Sequence, residues 1–167
     1  ARLRLLGYDV AEIDLSEFSG PEFIQVDNRV MSLRLVQLGL TGAAMFSCDG
    51  KVLQPSEVLH KKPVLVERGR FRPVTYVNLD LARSALRAFE AEGDDVQPGE
   101  TISIMEITMS SLTHDGSVDL RDFISRAEVL AATGHTVMIS DFAEYYRLAA
   151  YLFRYTNRRI GLAMGAM

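Results

Sequence analysis

Apolar and polar positions along the chain switch between two periods, and the switches outline the fold. In residues 120–133 Leu120, Phe123, Ile124, Ala127, Leu130 and Ala131 recur at the spacing of one helical face. Gly134 follows, then the short β-type run 135–140 (HTVMIS). The same order of amphipathic helix, glycine and short apolar run recurs. It reads as 2–6, Gly7 and 8–15; as 29–38, Gly39 and 40–46; and as 81–92, Gly93 and, after a polar loop, 101–109. A last helix over 142–156 precedes the strand-like run 159–164. Glycine just past a helix takes the left-handed conformation at little steric cost. Asp119 is the expected N-cap of the helix at Leu120. Asp141 and Glu144 stand at capping-box spacing for the last helix, which carries apolar residues on both sides and should be the most buried.

The β-type runs AAMF, PVLV, TVMI and IGLAM are apolar without alternation. Strands covered on both faces have this pattern, as in parallel sheets under helices. Helix and strand in turn imply βαβ crossovers. The expected fold is therefore α/β, with a largely parallel sheet of about five or six strands and helices on both faces. The alternative is part of a β/α barrel, a whole one needing ~250 residues. Asp49-Gly50 predicts a hairpin turn, 52–60 a short helix or excursion, and His114-Asp115-Gly116 a second turn. The 167 residues form one expected domain, 1–167. A start at Ala1 within a helical pattern and a strand-like end suggest a fragment of a longer chain.

Composition narrows the function classes. The chain is 48% hydrophobic and 24% charged, ordinary for a soluble fold, and no apolar run approaches the length of a membrane span. A net charge of −4 argues against a general nucleic-acid binder. The single cysteine, Cys48, excludes an internal disulfide and suits a reducing, cytoplasmic setting. His60, His114 and His135 lie far apart without ligand spacing, so no metal site is expected.

In open α/β sheets ligands bind beyond the carboxyl ends of the strands. That rule selects Asp14, Ser47 to Asp49, Glu67 to Arg72, Thr108 to Ser111, Ser140-Asp141 and Gly165, and among them the turn from Glu67 to Pro73 stands out. Arg68, Arg70 and Arg72 fall within five residues there, with Lys62 just before the strand. Guanidinium forks suit phosphate oxygens, Gly69 lets backbone approach a ligand, and the following helix points its N-terminus at the same place. Lys62, Arg68, Gly69, Arg70 and Arg72 are thus the expected phosphate-binding residues. The competing reading is that the arginines face solvent or pair with Glu57, Glu67 and Asp80. Glu106, within an apolar strand, and Asp141, at a strand end, are candidate acid/base groups; burial would raise the pKa of Glu106.

The run from Gly69 to Leu81 resembles the nucleotidyltransferase signature, G-x-F-x-P followed by H/T-x-G-H and a helix. Gly69, Phe71, Pro73 and Thr75 match; Val77 stands at the glycine position and Asn78 at the second histidine. The resemblance implies adenylyl transfer, with Thr75 and Asn78 orienting the phosphates and Mg²⁺ as the metal. Over nearly the whole chain, LHKKPVLVERGRFRPVT, DFISRAEVLAATGHTVMIS and YRLAAYLFRYTNRRIGLAMG are similar to a family of longer bacterial proteins. That family carries the labels nicotinate-nucleotide adenylyltransferase or TonB-dependent receptor. The second label implies an outer-membrane barrel of ~10-residue alternating strands, whereas this chain has helix–glycine–strand units. The expected function is binding of a nucleotide or phosphorylated metabolite at the turn from Glu67 to Asn78, with nucleotidyltransferase-like chemistry if it is an enzyme. The alternative is a non-catalytic structural or interaction domain of a homo-oligomer or larger assembly. Neither membrane nor nucleic acid is an expected partner.

Overall fold

The computed structural model describes residues 13–92 and 95–165. The first helix–glycine unit falls outside them up to residue 12, as does Gly93. A 3-10 turn (Pro21–Phe23) leads into α1 (Asn28–Gln37), capped by the Asp27 carboxylate on the amide of Arg29. β1 (Ala43–Phe46) and β2 (Val52–Leu53) form an antiparallel hairpin around Asp49-Gly50, with Gly50 at φ 79°. A single turn, α2 (Pro55–Val58), precedes β3 (Val64–Arg68), α3 (Tyr76–Ala91) and β4 (Ile102–Thr108). Then follow α4 (Met109–Leu112), the small hairpin of β5 (Thr113–His114) and β6 (Ser117–Val118), and α5 (Leu120–Ala132). β7 (Thr136–Ser140), α6 (Tyr145–Leu152) and β8 (Ile160–Ala163) complete the described chain.

The main sheet has six strands in the order β2-β1-β7-β4-β3-β8. β7, β4, β3 and β8 are mutually parallel, and β1 joins β7 antiparallel. The sheet ends at β2 and β8 and does not close among the described residues, so the barrel alternative gives way to an open sheet. Strand alternation divides the core between two faces. Phe46, Met105, Ile107, Val137 and Ile139 pack with Leu33 of α1 and with Phe123 and Leu130 of α5. Met45, Val66, Ile104 and Met138 point the other way, onto Leu148 and Leu152 of α6. A smaller cluster sets Leu65 and Ala163 against Phe89 of α3. Both sides of each inner strand are buried, which accounts for the unbroken apolar runs.

Two helix boundaries differ from the sequence pattern. The helix expected from residue 81 begins at Tyr76, because Thr75 and Asn78 form a capping box that satisfies two amides of the first turn. The last helix is shorter than 142–156: Glu144 occupies its N-cap without a side-chain bond, and Asp141 instead donates its backbone N–H to Gly42 at the sheet edge. Asp119 caps α5 as expected, accepting from the amides of Arg121 and Asp122.

Close approach of α3 to β8 depends on Gly161. A Cβ there would stand 2.7 Å from the Phe89 ring and 2.9 Å from Leu65. Gly161→Ala is expected to cost about 1–3 kcal/mol in urea unfolding, through overpacking. Gly165→Ala, whose new methyl would meet only Leu81 at 3.7 Å, should change stability by less than about 0.5 kcal/mol.

Candidate functional site

The carboxyl ends of β3, β4 and β7 bring three polar side chains to one face. Arg68 and Glu106 are register partners on adjacent strands, and Ser140 ends the strand on the other side of β4. Glu106 has no solvent exposure. Arg68 grips it with both prongs, Nε donating to Oε2 at 2.7 Å and Nη2 to Oε1 at 2.9 Å. The Ser140 hydroxyl donates to the same Oε1. The remaining terminal nitrogen of Arg68 donates to the carbonyl of Ala143 at 2.8 Å, and its guanidinium lies 4.4 Å from the centre of the Tyr145 ring. Burial opposes the arginine's charge, but pairing with Glu106 outweighs it and holds the guanidinium above its usual pKa. The cluster is a charge-compensated clamp joining β3, β4, β7 and the loop after β7.

The preceding residue, Glu67, points to the opposite face. Its strand neighbours there are Met105 and Ala163, and only 4% of its surface is exposed. The Asn78 amide hydrogen-bonds this carboxyl, while its Oε2 has no partner. Burial pushes Glu67 up to about 7, with the Asn78 bond pulling the other way. The carboxyl is therefore poised between charge states near neutral pH.

The arginines of the turn do not converge. Arg68 is spent on Glu106. Arg72 turns toward α5 and the small hairpin, its Nε 3.4 Å from Asp122 and Nη1 3.4 Å from His114 Nε2. Arg70 is exposed and has no carboxylate partner among the described residues. Its carbonyl is held by Nη1 of the buried Arg126 at 2.8 Å, and Arg126 also pairs with Asp122. Lys62 precedes β3 at the opposite edge of the sheet, roughly 20 Å of extended chain from Arg68, so it does not share a site with the turn. Gly69 makes room for the Phe71 ring, which would lie 2.8 Å from a Cβ there.

Thr75 and Asn78 sit in the first turn of α3 and bond each other: Asn78 Oδ1 accepts from the Thr75 amide at 3.0 Å and from its hydroxyl at 2.8 Å. Of the two candidate acid/base groups, Glu106 lies in the clamp. Asp141, one residue beyond Ser140, is exposed and lines a separate shallow cleft with Met109 and Thr113. Ser140 falls at a strand end as the strand-end rule expects, whereas Tyr145 and Arg126 were missed as parts of this edge. The i,i+4 spacing of Asp122 and Arg126 was the one available signal for the last. Among the described residues no group of three His, Cys, Asp or Glu is placed to hold a metal, and no helix is long and apolar enough to cross a membrane.

Breaking the clamp from one side leaves a buried charge unpaired. Arg68→Ala or Glu106→Gln is expected to cost about 3–5 kcal/mol in urea unfolding, and the double change Arg68→Met/Glu106→Met less than either. For Glu67 the sign follows from its raised pKa: the folded state binds the extra proton between its ordinary 4.5 and about 7. The contribution of Glu67 to stability should be most favourable below pH 4.5, fall by about 3 kcal/mol as pH rises from there to about 7, and level off above. Glu67→Gln keeps the volume and removes the charge. Its unfolding free energy, measured at pH 5 and pH 8, should lose most of that difference; parallel curves for variant and wild type would refute the assignment. No protein-family model, curated protein or solved structure matches this chain.

Proposed function

We propose that this α/β domain binds a nucleotide or another phosphorylated metabolite at the carboxyl edge of its sheet, with Arg70 as the principal phosphate contact. The observation that carries the reading is the presentation of Arg70. Its side chain lies in solvent without a carboxylate partner among the described residues, while the buried Arg126 fixes its backbone. The turn that holds it runs from the end of a parallel strand to the N-terminus of a 16-residue helix. Helix N-termini and guanidinium forks both favour phosphate oxygens. Arg68 supports the edge as a fixed cation rather than as a free ligand group. Adenylyl transfer with Mg²⁺ is the extension of this reading that the nucleotidyltransferase signature suggests. Asn78 would enter it as a neutral hydrogen-bonding group, without the charge of the histidine it replaces.

Calorimetric titration with ATP, nicotinamide mononucleotide and phosphopantetheine tests the proposal. At least one should bind, and Arg70→Ala should weaken it by about 10- to 100-fold. No binding to wild type, or equal binding to Arg70→Ala, would sink it. The second reading, an interaction domain, draws on Tyr76, Val77, Tyr146 and Met164, all at least 62% exposed and all at the start of α3 or α6 or the end of β8, the same edge. Concentration-dependent self-association in sedimentation runs, unaffected by any of the three ligands, would favour it instead.

A further inference from the structure

We infer a second ligand site, in the seam between α3 and α5, that takes a small apolar molecule bearing one anionic head and one hydrogen-bond donor. α3 lies over β3 and β8, and α5 over β7. The amino half of β4 between them floors a cleft of about 390 Å³, within the range of small-molecule sites. Its floor carries Ser103, a polar residue on a central parallel strand where apolar residues are the rule. Leu79 and Leu86 of α3 form one wall, and Thr133 and His135 form the mouth opposite.

The hydrogen bonds at the mouth settle the state of His135. The Thr133 hydroxyl donates its only proton to the carbonyl of Leu130 at 2.6 Å. Its 2.8 Å contact with His135 Nδ1 must then have the ring nitrogen donating. Nε2 is left with its lone pair, ready to accept from a ligand. Burial lowers the pKa of this histidine, so the ring stays neutral at neutral pH. Arg83, on the rim, pairs among the described residues only with Asp80 one turn earlier, at 3.6 Å and with both groups exposed. Such pairs are weak, so the guanidinium is available to an anion. Acceptor, cation and apolar wall together define the ligand class. The site is independent of the carboxyl-edge reading.

The fluorescent probe 8-anilinonaphthalene-1-sulfonate has the required parts: apolar rings, a sulfonate and one N–H. It should bind wild type saturably at one equivalent and shift the His135 Nε2 resonance in a ¹⁵N spectrum. Arg83→Gln, on the exposed side of α3 where the fold does not depend on it, should weaken binding about tenfold. Arg70→Ala should leave it unchanged. Non-saturable binding, wild-type affinity in Arg83→Gln, loss of binding in Arg70→Ala, or an unmoved His135 resonance would each overturn the assignment.

Discussion

The buried bond between Arg68 and Glu106 is the constraint on which the carboxyl edge depends. A carboxylate with no exposure cannot remain charged without partners. Glu106 finds three donor groups, two from Arg68 and one from Ser140. Because those residues lie at or near the carboxyl ends of three adjacent strands, satisfying one charge also fixes the relative positions of β3, β4 and β7. Arg68 extends the constraint to the following loop through the Ala143 carbonyl and the Tyr145 ring. Its cost is that the arginine nearest the strand end is committed to structure. An anion at this edge, as proposed, would be met chiefly by Arg70 and the start of α3.

One residue of strand alternation separates two opposite electrostatic outcomes. Arg68 falls on the face where a carboxylate is waiting. Glu67 falls on the other, between Met105 and Ala163 and beneath α3, where a single amide reaches it. The same dipeptide thus contributes a fixed ion pair to one layer and a near-neutral carboxyl to the other. Asn78 joins the two halves of the turn, accepting from Thr75 with its oxygen and bonding Glu67 through its amide. Asn78 is thus the link between helix cap and buried acid.

Much of the architecture was legible because its causes are local. The helical period of Leu120 to Ala131, the glycines at 39 and 134, the Asp49-Gly50 turn and the Asp119 cap each act within a few residues, and each takes the expected form. Unbroken apolar strands announced a sheet covered on both sides. Glu106 was legible as an anomaly, a charge inside such a strand, but its partner was not. The arginines of the turn show the limit. Equal in sequence, they were separated by what each met in space: Glu106 for Arg68, solvent for Arg70, Asp122 and His114 for Arg72. Lys62 lies at the far edge because the strand between is extended.

Periodicity, turn residues and caps are short-range effects, so the chain by itself determined the kinds of element, their order and the parallel character of the inner sheet. Strand order, the antiparallel placement of β1 and the open edges required long-range pairing. So did the clamp, since the residues of its three strands are 38 and 34 positions apart along the chain. The cleft at His135 required it too, because the gap above Ser103 exists only through the seating of two helices on different strands. Charge in a folded chain is assigned by burial and by the nearest partner, and both are properties of the tertiary structure.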